Sequence, residues 1–224
     1  MAEVSLFKDL TQDEIQTVRS GARIRQAGAD EFFFLQGDQA ENLYILHTGR
    51  VKLTQINPDG QQILLRIITP WTLFAAIALV GKTTLYPVSA QAAEESTALV
   101  WSRGEMDKML EKIPRLALNA MQLMAEYVIE FQDRYRELAT ERVERRLARA
   151  LLRLATQSGR KTSEGVLIDL PLSRQDLAEM TGTTLYTVSR IMSQWETRQL
   201  VVSGRERVVV CNPHGLVKIA EDLP

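Results

Sequence analysis

The 224-residue sequence predicts an α+β fold in three parts: an antiparallel β-roll, one long helix, and a helix-turn-helix backed by a hairpin. Three observations predict it. Between Arg23 and about Val100 the chain runs in short, strand-like apolar stretches divided by turn residues. From Met121 to Leu138 the apolar residues repeat in heptads. From Leu172 to Trp195 two short helical patterns flank Gly182.

Composition sets the bounds. With 45% hydrophobic residues the chain can bury real cores in two modest domains or one large one. The formal net charge is −1, but it is unevenly spread. Residues 1–140 hold 14 Lys/Arg against 18 Asp/Glu, a net of −4, and residues 141–224 hold 13 against 10, a net of +3. The cationic surface therefore lies with the helix-turn-helix, where phosphate contacts would need it. Cys211 is the single cysteine. One thiol excludes an internal disulfide and a Cys-ligated iron–sulfur cluster, and points to the cytosol. No apolar run of about 18 residues and no signal-peptide pattern occurs, so the expectation is a cytoplasmic protein with no membrane partner.

The elements follow in order. Residues 5–20 predict a short helix, with Thr11 and Glu14 spaced as a capping box. The strand-like runs are RIRQAG from 23, EFFFLQGD from 31, NLYILHTG from 42, RVKLTQI from 50, QQILLRII from 61, VSAQAA from 88 and TALVWS from 97. Gly37-Asp38, Thr48-Gly49 and Asn57-Pro58-Asp59-Gly60 mark turns between them. Seven or eight short strands at this spacing make a small antiparallel roll. Leu73–Val80 (LFAAIALV) is wholly apolar and predicts a short buried helix after Trp71.

Arg103–Ile113 reads as a helix, and Pro114 opens a longer one. In it Met121, Val128 and Tyr135 share one heptad position, and Met124, Phe131 and Leu138 the other. Such a narrow seam needs a partner, and a second copy of the chain is the simplest. The alternative is packing against its own roll. A new stripe, Val143, Leu147, Leu151 and Leu154, starts on another phase, which predicts a break around Ala139–Glu141.

In the helix-turn-helix, Ser173 is placed as an N-cap, and Thr183 or Thr184 as the next one. Val188, Ile191, Met192 and Trp195 form the buried back of the second helix. Its front carries Thr184, Tyr186, Thr187, Ser189, Arg190 and Ser193, which are small or hydrogen-bonding. A packed back and a polar front suit a helix that reads base edges in the major groove, although an ordinary helical hairpin would share the spacing. QLVVSGRERVVVCNP then predicts a hairpin turning at Ser203-Gly204, with Arg205 and Arg207 placed for phosphates. The DNA-contacting set is Ser173, Arg174, Thr183, Thr184, Leu185, Tyr186, Ser189, Arg190, Arg205 and Arg207.

Roll, long helix, hinge and winged helix-turn-helix, in this order, resemble the cyclic-AMP-receptor/fumarate-nitrate-regulator superfamily of bacterial transcription factors. The motifs are FLQGDQAENLYILHTGRVKL at 34–53, NPDGQQ at 57–62, VSAQA at 88–92 and the stretch 172–195. The resemblance implies a cyclic-nucleotide-binding-like sensor roll at 1–112, a dimerisation helix at 113–139 and a DNA-binding domain at 140–224. It also implies a homodimer on a near-palindromic double-stranded operator, contact with RNA polymerase, and a signal held between roll and helix.

This sequence departs from the family in three places. Cyclic-nucleotide binders carry Gly-Glu for the ribose and Arg-Ser for the phosphate, whereas Ala75-Ala76 and Val88-Ser89 stand here. An unpaired phosphate buried there would cost several kcal/mol, roughly, which argues against cyclic AMP. The cysteine cluster of the iron–sulfur branch is absent. In the recognition helix Tyr186 stands where many members have Glu, three residues before the Ser189-Arg190 pair. Arg190 can take a guanine bidentately and Leu185 can touch a thymine methyl, while Tyr186 reads either a base or a phosphate.

The apolar cassette looks most like the nitric-oxide-responsive, denitrification-type branch, whose members are thought to hold haem in a hydrophobic cleft. The expected cleft is Leu73, Phe74, Ala75, Ala76, Ile77, Val88 and Ser89, with Phe131 and Gln132 from the long helix. His47 is the candidate axial ligand, since the other histidine, His214, lies beside the hairpin; a lone His at a β-turn is otherwise a solvated residue. The alternative is a constitutive regulator whose cleft is empty or filled by its own side chains. An enzyme is not expected, for no metal set, Ser–His–Asp logic or phosphate-cradling loop occurs.

Overall fold

The computed structural model describes residues 4–79, 84–204 and 207–223. The chain forms two compact units, one of Met1–Gln61 with Arg66–Gln132 and one of Gln62–Leu65 with Asp133–Pro224.

In the first unit the helix expected over 5–20 is cut short. Ser5–Phe7 is a single 3-10 turn, Asp9 turns at φ +58°, and α1 (Gln12–Ser20) starts at Thr11. The capping box is present: the Glu14 carboxylate accepts the Thr11 N–H at 2.8 Å, and the Thr11 hydroxyl accepts the Glu14 N–H at 3.3 Å. Strands β1 (Arg23–Ala27), β2 (Phe32–Phe34), β3 (Asn42–Thr48), β4 (Val51–Ile56), β5 (Gln62–Ile68, of which Gln62–Leu65 group with the second unit), β6 (Leu73–Phe74), β7 (Ser89–Ala92) and β8 (Ser96–Ser102) follow. They form two four-stranded sheets, ordered β1-β8-β3-β6 and β2-β7-β4-β5, whose identified pairings are antiparallel. Between the sheets lies an interior built on Phe33, Phe34, Tyr44, Phe74 and Tyr86. On the outer face of the first sheet Leu43, Ile45, Leu73 and Trp101 meet Val18 and Met106.

The buried helix expected at Leu73–Val80 does not form. Leu73 and Phe74 pair with β3 instead, in register Ile45↔Leu73 and Tyr44↔Phe74, so alternation sends Leu73 to the outer core and Phe74 to the interior. Ala75 then turns at φ +63°, and Ala76–Leu79 makes one 3-10 turn, pinned by Arg103 donating to the Ala78 and Ala40 carbonyls at 2.6 and 2.8 Å. Val80 lies outside the described residues.

Helix α2 (Arg103–Lys112) is capped by Ser102, again with a box to Glu105. Helix α3 (Pro114–Thr140) runs 27 residues and carries two stripes, not one. Leu116, Ala120 and Leu123 are buried in the outer core of the roll. The heptad residues lie on other faces: Phe131 is 67% and Tyr135 66% exposed, Met121, Val128 and Leu138 are exposed, and Met124 is half-buried.

In the second unit, α4 (Val143–Ser158) follows α3 after a two-residue gap, Glu141 and Arg142, and buries Leu147, Leu151 and Leu154. Next come β9 (Gly159–Thr162), β10 (Gly165–Ile168), α5 (Arg174–Thr181), α6 (Leu185–Thr197), β11 (Val201–Gly204), β12 (Arg207–Val210) and α7 (Pro213–Glu221). The hairpin β11–β12 extends a sheet ordered β11-β12-β10-β9. The β9–β10 hairpin and α7 have no counterpart in the sequence reading. Arg149 ties α7 to α4 by donating to the Ala220 carbonyl at 2.9 Å and to Glu221 at 2.9 Å.

Candidate nucleic-acid interface

The second unit builds its exposed front on a well-capped frame. Ser173 caps α5: its hydroxyl donates to Asp176 at 2.7 Å and accepts the Asp176 N–H at 3.0 Å. That hydroxyl, expected at DNA, is engaged within the chain. Helix α5 ends on Gly182 at φ +60°, a left-handed position that glycine takes without a Cβ penalty. Thr183, half-buried, donates its N–H back to Ala178 at 3.0 Å. Thr184 caps α6, accepting the Thr187 N–H at 3.2 Å.

Behind α6, Val188, Ile191, Met192 and Trp195 are buried, and the indole of Trp195 donates to Glu144 at 3.1 Å. In front, Tyr186 is 77% and Leu185 48% exposed, Arg190 is exposed and Ser189 half-buried. No hydrogen bond or ion pair is identified for the Arg190 guanidinium among the described residues.

The other two described cations of the expected set are held by carboxylates. Arg174 donates to Glu196 at 3.4 Å and to the Ser203 hydroxyl at 3.0 Å, and Ser203 also bonds Glu196. This triangle fastens the start of α5 to the end of α6 and to β11. Arg207 pairs with Glu164 of the β9–β10 turn at 3.2 Å, both half-exposed. Arg205 lies outside the described residues. Glu164 and Glu196 were missed from sequence; a lone Glu in a turn or a helix carries no signal of its partner.

In the first unit the expected effector cleft is divided. Phe74, Ala75, Ile77 and Val88 join the roll interior, while Leu73 and Ala76 join the outer core. That interior is aromatic: Phe34 stacks on Tyr86 at 3.8 Å, Tyr44 on Phe74 at 5.0 Å, and Phe33 meets Phe74 edge-on at 5.7 Å. Ser89 is buried, its hydroxyl accepting the Gln36 N–H at 2.9 Å. The Tyr86 hydroxyl donates to the Asn42 carbonyl at 2.7 Å, and burial pushes its phenol well above the usual range, so it remains a donor.

Phe131 and Gln132 are exposed and do not face this region within the chain. Helix phase explains the correction: residues 116, 120, 123 and 127 define the inner face, which Phe131 leaves by one position. Tyr127 and Glu130 stand there instead. The Tyr127 hydroxyl donates to the Leu73 carbonyl at 2.9 Å, Arg66 lies 4.7 Å over its ring, and Arg66 pairs with Glu130 at 3.5 Å. The spacing from Leu116 to Tyr127 was the available signal, eclipsed by the heptad.

His47 is exposed, its ring edge-on to Trp71 at 4.8 Å. It follows Ile45 on the outer face of β3, where Leu43, Ile45 and Leu73 are already fully packed. A haem plane seated there would displace those side chains, so the residues do not fit haem. No cluster of three His, Cys, Asp or Glu suited to a metal occurs among the described residues. Nor is any described helix long and apolar enough to cross a membrane.

A roll of two antiparallel sheets, a long helix and a winged helix-turn-helix make up the architecture of a DNA-binding transcription regulator. Comparison with known proteins is in accord. Residues 24–113 match the cyclic nucleotide-binding domain and residues 145–219 the Crp-like helix-turn-helix domain. The chain belongs to the Crp/Fnr family of DNA-binding transcription regulators. It is 28% identical to the global nitrogen regulator of Synechococcus elongatus, over 95% of this chain and 94% of that one. It is equally 28% identical to the cyclic AMP receptor protein of Thermus thermophilus, over 96% of each. Among solved structures, FixK2 from Bradyrhizobium japonicum has the same fold, with a TM-score of 0.77 at 22% identity over 88% of this chain and 96% of that one. Its relatives are regulators, not enzymes.

Proposed function

We propose that this regulator works as a homodimer on a near-palindromic operator, reading bases with α6 and taking no cyclic nucleotide. The exposed front of α6 over its buried back carries the DNA reading. Thr184, Leu185, Tyr186, Ser189 and Arg190 face the bases, and Arg207, released from Glu164, turns to a phosphate. Arg174 meets the duplex from its triangle with Glu196 and Ser203.

Dimerisation is supported by the exposed apolar positions of α3. Phe131, Tyr135 and Leu138 continue the spacing of Met121, Met124 and Val128, and a second α3 would cover them. Phe131→Asp should leave a folded monomer by light scattering; a retained dimer would contradict the seam.

The filled roll supports the second half of the proposal. Phe34, Tyr44, Phe74 and Tyr86 occupy the interior, and Val88 and Ala76 stand where the family's phosphate and ribose partners would be. DNA binding is then independent of cyclic nucleotide, and haem or nitric oxide forms no part of it. RNA polymerase is the partner through which a bound dimer acts on transcription. The test is fluorescence anisotropy on a duplex selected by the protein, with and without cyclic AMP, and again after haemin. Unchanged affinity in all three is expected. A cyclic-AMP or haemin requirement would overturn the self-filled roll.

A further inference from the structure

The turn between α5 and α6 leaves carbonyls without helical partners, since the last turn of any helix does. At this turn two of them, those of Thr181 and Gly182, meet one side chain from another element. Arg146 of α4 donates from Nε to the Thr181 carbonyl at 2.9 Å, and its Nη2 stands 3.5 Å from the Gly182 carbonyl. Its Nη1 donates to the Glu141 carbonyl at 2.7 Å, just past the end of α3. Three carbonyls from two separate junctions thus converge on one half-buried guanidinium. The cation also sits at the carboxyl end of α5, where the helix dipole is negative.

A second contact joins the same two places. A Cβ on Gly182 would lie 3.0 Å from Leu138 Cδ2, so the last turn of α3 touches the turn that aims α6. Around them Glu137, nearly buried, pairs with Arg153 at 2.7 Å, and Glu141 with Arg149 at 3.1 Å. The α3–α4 junction is therefore held by charge and packing, and of its charged side chains Arg146 is the one that hydrogen-bonds the turn itself.

We propose that Arg146 is a positioning residue for DNA recognition. It links the direction in which α3 ends to the direction in which α6 begins, without touching DNA. A planar fork with several donors at fixed angles can hold both junctions at once, and a Lys ammonium, a point charge on a flexible stem, cannot. The proposal rests on α6 being the base reader.

The test measures Kd for a duplex selected by the wild-type protein and for a scrambled duplex of equal length, in Arg146→Gln, Arg146→Lys and Arg190→Ala. Circular dichroism and thermal unfolding establish that each variant is folded at the assay temperature. Discrimination between the two duplexes should fall about tenfold or more in Arg146→Gln, with scrambled-duplex affinity and salt dependence unchanged. Arg146→Lys should fail to restore it. Should Arg146→Gln not fold, Arg146→Lys carries the same comparison. Wild-type discrimination in the folded Arg146 variants, or equal weakening on both duplexes, overturns the positioning role. Wild-type discrimination in Arg190→Ala overturns the base-reading assignment beneath it.

Discussion

The roll interior and the front of α6 treat side-chain chemistry in opposite ways. Inside the roll, polar groups at the expected cleft bond within the chain: the Tyr86 hydroxyl to Asn42, the Ser89 hydroxyl to Gln36, and the 3-10 turn to Arg103. Five aromatic rings fill what remains. On α6 the back is equally full, but Tyr186 and Arg190 extend into solvent. A group already satisfied has little to offer a ligand, because binding must first break what it has. An exposed donor on a rigid, capped helix gives up little on meeting a base. Under the proposed function, binding chemistry is kept on α6 and spent within the chain in the roll.

The sharpest way to break this contrast is to open the roll. Phe34→Ala removes a ring stacked between Tyr86 and the Tyr44–Phe74 pair, and should cost about 3–5 kcal/mol in denaturant unfolding. A loss below about 1 kcal/mol would mean a loose interior with room for a ligand. Next in size, Arg190→Ala should cost about 1–3 kcal/mol of discrimination at one base pair of each half-site. Arg207→Ala, by comparison, should weaken all sequences alike and lower the salt slope by about one. Equal loss of discrimination from both would erase the division between reader and phosphate contact. The smallest effect concerns Ala75, which holds φ +63° where a Cβ is disfavoured. Ala75→Gly should raise stability by about 1 kcal/mol, with DNA binding unchanged.

What could be read from sequence was what is local. Caps at Thr11 and Ser173, the α6 cap to within Thr183 or Thr184, the turn at Gly182 and the back of α6 depend on residues within four positions, so spacing located them. The roll was legible as a class for the same reason. Leu73–Phe74 was not, since an apolar run takes its conformation from whatever it pairs with, here β3. Tyr127 and Glu130 were hidden because α3 carries two stripes and the heptad is the louder. Arg146 was invisible in principle. Its partners are backbone carbonyls five and about 35 residues away, and a carbonyl has no sequence signature.

The most direct test of the account is binding-site selection from random duplexes by the wild-type protein with no ligand added, repeated with Arg190→Ala. The account predicts a near-palindrome enriched without any effector, with one base pair per half-site relaxed in the variant. Failure to enrich without an added ligand, or an identical motif from both proteins, would contradict it.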